Sequence, residues 1–293
     1  MNCVRTILIT QAIFLVLLLN ASLQAQDVDT LNNTRSFFEK GNITGTLSYQ
    51  FGRISDYGKN QDGSLNYLKP EFKFRSSLSV SIGIRLFELV YFRPSFYAHL
   101  NPDINAPWAT TDYTYTLERT CYDNNSFSYG YANYEINKYN GSGNSFLESL
   151  KRGSFYVRYF NAIPQRWMQK IGADSVTVNY FLTTRYMVRY TDDQNETKGD
   201  WLHGKTVLSA GVRCTLFRFF YVEGAVNYYV SHKTKMSWDP DFTYGFGFNK
   251  YTHMTIGLSY GNYSGNRFPW NEKKIKEYGF LDGIFSVLLN FRF

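Results

Sequence analysis

The stretch Val176-Thr-Val-Asn-Tyr180-Phe-Leu-Thr-Thr-Arg185-Tyr-Met-Val-Arg-Tyr190 decides how this chain folds. Val176, Val178, Tyr180, Leu182, Tyr186, Val188 and Tyr190 fall on one parity, with Thr184 among them. Thr177, Asn179, Thr183, Arg185 and Arg189 occupy the other, with Phe181 and Met187. A period of two places the first set on one face of a strand and the second on its opposite face. The row also continues past the ~10 residues at which strands of globular proteins usually stop.

Similar apolar rows recur: Leu78-Val80-Ile82-Ile84-Leu86, Leu208-Ala210-Val212-Cys214-Leu216, Phe220-Val222-Gly224-Val226-Tyr228-Val230, Met254-Ile256-Leu258-Tyr260 and Phe285-Val287-Leu289-Phe291-Phe293. Their opposite faces carry Ser, Thr, Gly, Arg, Asn and Glu. A soluble sandwich also alternates. Here, however, the rows end in Tyr or Phe, and short connections centred on Phe87, Arg218 and Lys250, with a longer one at 164–173, alternate with long ones at 54–67, 100–152, 192–202, 232–241 and 263–280. Aromatic ends with short turns on one side and long loops on the other describe an all-β, up-and-down transmembrane barrel. The spacing predicts ten strands, at 42–53, 70–86, 88–99, 153–162, 174–191, 203–217, 219–231, 242–249, 252–262 and 281–293. The alternative is twelve, if Asp112–Thr120 and Phe127–Ile136 form a hairpin through the membrane. Their alternating face is Tyr and Phe with little aliphatic content, which favours a hairpin standing above the bilayer.

Composition agrees. Of 293 residues 19% are aromatic, and 31 Lys+Arg against 24 Asp+Glu give a formal charge of +7. A mean hydropathy of −0.35 excludes a helical bundle of several apolar spans. The wealth of Tyr, Phe and Val excludes a disordered chain. At the start, Arg5, the apolar run Ala12–Leu19 and the small-residue exit Ala21-Ser-Leu-Gln-Ala25 have the form of a secretory signal. Cleavage is expected after Ala25, which leaves a lead at 26–41 before a barrel over 42–293. Arg5 leaves with the signal, so the mature charge is expected to be +6. Cys121 is expected in an outer loop and Cys214 near the opposite rim. That separation exceeds the reach of a disulfide, and none is expected.

The last strand, Ser286-Val-Leu-Leu-Asn-Phe-Arg-Phe293, ends on an aromatic in register with Phe291, Leu289 and Val287. In this it resembles the outer-membrane β-barrels of Gram-negative bacteria. The exit Leu23-Gln-Ala-Gln26 and the Phe/Tyr-rich hairpins are similar to those of Bacteroidota outer-membrane proteins. The resemblance implies residence in the cell outer membrane among lipid and lipopolysaccharide. It also implies recognition of the strand ending at Phe293 by the barrel assembly machinery.

No catalytic pattern of the barrel enzymes is present. The chain contains no Asp-x-His, none of its four His belongs to a His-x-Ser pair, and Asp239-Pro-Asp241 reads as a loop turn. No metal spacing occurs and no cofactor is expected. Export and a lipid-facing exterior argue against nucleic acid. Lys273, Lys274 and Lys276 near Trp270 form the densest basic cluster, suited to lipopolysaccharide phosphates or an acidic partner, although Glu272 and Glu277 flank it.

The inward faces carry Arg75, Arg85, Arg93, Arg158, Arg185, Arg189 and Arg213 against Glu71 and Glu223. Counting across the turn at Arg218 sets Arg213 opposite Glu223. At ten strands these side chains are expected to fill much of the lumen. The expected function is then non-enzymatic: surface recognition, or docking of an envelope protein partner, through the outer loops. The alternative is a narrow, porin-like, anion-preferring pore for small solutes. A lipid-remodelling or proteolytic barrel enzyme comes third.

Overall fold

The computed structural model describes residues 43–59, 65–86, 90–101, 111–119, 125–134, 137, 150–170, 172–173, 175–191, 201–217, 219–236, 239–250, 254–263, 265–268, 270 and 282–292. The expected signal and lead, Cys121, Phe293 and the lysines at 273, 274 and 276 lie outside them. Twelve antiparallel strands form a closed barrel in sequence order. They are β1 (Ile43–Lys59), β2 (Leu65–Leu86), β3 (Val90–His99), β4 (Tyr113–Arg119), β5 (Ser126–Asn133), β6 (Ser154–Ala162), β7 (Val176–Thr191), β8 (Trp201–Leu216), β9 (Phe220–Tyr229), β10 (Phe242–Lys250), β11 (Met254–Asn262) and β12 (Ile284–Arg292). β12 closes the ring on β1 with Leu47 opposite Leu289 and Tyr49 opposite Val287. A six-residue helix α1 (Gln165–Lys170) lies in the β6–β7 connection. Among the described residues no helix is long and apolar enough to cross a membrane.

The count of ten strands is therefore corrected to twelve. The segment 100–152 is not one loop, because β4 pairs with β3 and β5 pairs with β6. These two strands are short, 7 and 8 residues. Their outward parity carries Tyr113, Tyr115, Leu117, Phe127, Tyr129 and Tyr131, with Tyr115 and Tyr131 packed ring to ring at 6.0 Å. Aromatic bodies thus cover the sheet where aliphatic residues are scarce. The β4–β5 link joins the same rim as the tight β2–β3, β8–β9 and β10–β11 links, not the rim of the long loops. β1 and β2 also extend together beyond the expected limits, from Arg53 opposite Phe74 to Lys59 opposite Leu65.

The register fixes the two faces. Leu78, Val80, Ile82, Leu182, Leu208, Val212, Val222, Val226, Ile256, Leu258 and Val287 are all exposed on the exterior. So much contiguous apolar surface is unsuited to water and suited to lipid. The inner face holds Ser48, Ser77, Ser79, Thr114, Thr116, Ser128 and Thr183, all buried. Hydroxyls there bond across the sheet, for example Ser81 to Ser95 at 2.7 Å.

Candidate functional site

On the β6–β10 side of the barrel the described residues leave part of the lumen open. A cavity of about 860 Å³ is lined by Arg158, Phe181, Arg185, Arg213, Glu223 and Asn227, among others. It exists partly because Gly211 has no side chain: a Cβ there would come within 2.1 Å of the Phe181 ring. Phe181 lies flat against the wall in that space, and the Arg158 guanidinium sits 5.2 Å above its ring. Face-on placement of a cation over an aromatic ring is favourable.

Toward the short-turn end, Arg213 and Glu223 are directly opposite on β8 and β9. Arg213 Nη1 stands 3.7 Å from Glu223 Oε2, and its guanidinium lies 3.8 Å from the Tyr221 ring centre. Tyr263 donates its hydroxyl to Glu223 Oε1 at 3.4 Å. The charge of Arg213 is thus answered locally.

Arg93 is answered too, by Glu118 at 3.6 Å, and Glu118 also accepts the Tyr156 hydroxyl. Arg75 donates to His99 Nδ1 at 2.9 Å, while His99 Nε2 donates to the Thr111 carbonyl at 2.8 Å.

Arg158 and Arg185 differ. The register sets Arg158 opposite Thr183 and Tyr156 opposite Arg185. The two arginines are therefore diagonal neighbours on one face, with a backbone separation of ~7–8 Å. Arg158 Nε donates to Thr183 Oγ1 at 3.1 Å. No carboxylate pairs with either arginine among the described residues. Arg185 is half-buried on the cavity wall, and its Nε, shielded from solvent, has no hydrogen-bond partner. A buried guanidinium nitrogen without an acceptor is costly, unless something entering the cavity supplies one.

At the long-loop end, a cluster that the sequence reading missed borders the cavity. Lys205, 2% exposed, pairs with Asp239 and lies 5.3 Å and 5.4 Å from the Tyr190 and Tyr229 rings. Gly204, at φ 77°, gives the backbone a left-handed residue just before it. Asp241 pairs with Lys235 and with Arg267 at 3.3 Å, and accepts the Phe268 N–H at 2.9 Å. Arg267 reaches the Met236 carbonyl at 2.7 Å. Tyr229 Oη and Asn227 Nδ2 both donate to the Pro240 carbonyl, at 3.0 and 3.2 Å. Asp239-Pro-Asp241 is thus more than a turn. It latches the β9–β10 connection inward, and Asp239 and Pro240 line the cavity end.

The other expected positions are scattered. Arg85 lies 5.8 Å from the Tyr91 ring, near the short-turn rim. Arg189 is in register with His203 near the opposite rim. Neither lines the cavity. Trp270 is 77% exposed and stacks on Phe268 at 4.7 Å. Cys214 carries a free thiol. No group of three or more His, Cys, Asp or Glu suited to a metal occurs among the described residues.

No protein-family model matches the sequence. No curated protein matches it either. Solved structures with a similar fold are barrels. An outer membrane channel from Pseudomonas putida F1 is 10% identical, with a TM-score of 0.41 over 90% of this chain and 100% of that one. The translocator domain of the autotransporter NalP from Neisseria meningitidis is 12% identical, with a TM-score of 0.36 over 94% and 96%. Salmonella typhi OmpF, in complex with daunomycin, is 9% identical, with a TM-score of 0.33 over 86% and 98%. At these values the likeness bears on neither the solutes nor the partners of this chain.

Proposed function

We propose that the protein is a non-enzymatic outer-membrane barrel whose lumen admits small anions. One observation carries this reading: a cavity of about 860 Å³ lined by Arg158, Arg185 and Arg213, with Glu223 already engaged by Arg213. That volume lies within the ~300–1,000 Å³ typical of small-molecule sites. Two strands more than the sequence reading favoured also widen the barrel, since diameter grows with strand number. The short-turn rim faces the periplasm in this proposal, and the long connections face outward, as single-chain bacterial barrels are oriented. A signal cleaved after Ala25 and delivery to the assembly machinery through the strand ending at Phe293 belong to the same proposal.

The test is efflux from proteoliposomes. A labelled small carboxylate should leave several-fold faster than an ammonium ion of similar size. Equal retention of both solutes contradicts a conduit, and faster loss of the ammonium ion contradicts its charge preference.

A second reading, surface recognition of lipopolysaccharide or an envelope protein, is favoured by Trp270. That ring is exposed but stacked on Phe268, whose N–H the Asp241 latch holds. It is thus presented from an ordered base beside Lys273, Lys274 and Lys276 in the sequence. Trp270→Ala should weaken binding to lipopolysaccharide-containing vesicles without altering solute efflux.

A further inference from the structure

We infer that Arg158 and Arg185 form a binding site for a phosphate-class oxyanion, a deepening that rests on the anion-admitting lumen proposed above. The two guanidiniums are diagonal on the β6–β7 wall, project into one cavity and have no carboxylate partner among the described residues. Thr183 holds Arg158 through Nε, and the Phe181 ring supports it from below. This leaves its terminal nitrogens for a ligand. Arg185 has its Nε enclosed and unsatisfied, so an incoming acceptor gains what the protein withholds.

The arrangement selects among anions. Each guanidinium is a planar fork of donors that matches two oxygens at once. A carboxylate has two oxygens and satisfies one fork. A halide has no oxygens to bridge. A tetrahedral phosphate presents enough oxygens for both forks and can carry the second negative charge that two arginines answer. The Glu118 carboxylate, which would compete from β4, is already held by Arg93 and Tyr156. Ser209 on β8, beside Thr183, donates to Asn227 at 2.6 Å and extends the polar wall next to the pair. The latch at Asp239 stands at the cavity end, neutralised by Lys205, so its charge does not repel an anion at the arginines.

The experiment uses the full barrel in a non-ionic, phosphate-free detergent. Thermal unfolding is followed with inorganic phosphate, glycerol phosphate, acetate or chloride at matched ionic strength. Inorganic phosphate or glycerol phosphate should raise the unfolding midpoint, acetate and chloride far less. The stronger of the two phosphates identifies the source as a free ion or a monoester solute. Arg185→Gln and Arg158→Gln should each weaken the phosphate response at least about tenfold, the scale of a lost charge-assisted hydrogen bond. Lys233→Gln, on an exposed stretch of the long-loop rim, should leave it unchanged. Arg185→Gln should fold at least as well as wild type without phosphate, because it removes an unsatisfied cation; its lost response then reports binding and not misfolding. An equal phosphate response in wild type and Arg185→Gln overturns the site, as does an acetate response equal to that of phosphate. Efflux without phosphate binding leaves the conduit standing and removes the site. Phosphate binding without efflux does the reverse.

Discussion

At the long-loop rim Lys205, Lys235 and Arg267 meet Asp239 and Asp241; one register step deeper on the same wall, Arg185 and its diagonal neighbour Arg158 meet no carboxylate among the described residues. Both regions line the inner face of a sheet whose exterior is apolar, so burial alone does not dictate the difference. The rim cluster ties two separate connections to β8 and to each other, and its charges are saturated among themselves. The deeper pair joins strands that the sheet ladder already holds. Its charge is unnecessary for closing the barrel, which is why we assign it to the solute.

The comparison breaks most visibly at Lys205. Lys205→Met leaves Asp239 enclosed without its cation and should cost about 3–5 kcal/mol. The expected readout is a lower urea midpoint for the barrel in lipid vesicles. If Lys205→Met is tolerated as well as Arg185→Gln, the distinction between saturated and unsaturated charge fails. Next in size is Val212, 45% exposed on the outer face opposite Tyr180 and Gly224. Val212→Arg should cost about 2–4 kcal/mol near the bilayer midplane. A negligible cost there would mean that the lipid and lumen faces have been exchanged.

Two smaller effects sharpen the comparison. Gly211→Val should displace the Phe181 ring, and with it Arg158, from the wall into the cavity, lowering single-channel current and weakening the charge preference. A change in selectivity without a change in current would contradict the placement of Phe181. Smallest is Glu223→Gln. The Arg213–Glu223 pair is partly exposed at 3.7 Å, and such pairs contribute about 1 kcal/mol or less. Stability should barely move, while anion preference should rise modestly because Arg213 loses its counter-charge. A large stability loss would make Arg213–Glu223 a structural staple like the rim cluster.

Much of this architecture is written in local sequence. The rows around Val178, Val212 and Val222 alternate because one face meets lipid, and that requirement is visible within any ten residues. Arg213 opposite Glu223 is legible for the same reason, since a tight turn converts sequence distance into register. β4 and β5 are harder. Their outward positions are almost all Tyr and Phe, and a rule built on aliphatic content reads them as lying above the membrane. The latch is illegible from any window, because Lys205, Lys235, Asp239, Asp241 and Arg267 come from β8 and two separate connections that only the closed barrel brings together. The same holds for Arg185: its place on an inward face follows from parity, but the lack of a carboxylate beside it depends on β4 having entered the wall and on Arg93 having engaged Glu118.

The most direct measurement of the central claim is the reversal potential across a planar bilayer under a potassium chloride gradient, for wild type and for the double variant Arg158→Gln/Arg185→Gln. Wild type should conduct with a reversal potential of the sign set by chloride, and inorganic phosphate added to one side should block the current. The double variant should remain folded, lose the block and shift toward zero selectivity. A wild-type reversal potential set by potassium, or a selectivity and block unchanged in the double variant, would contradict the assignment of these two arginines to the permeating anion.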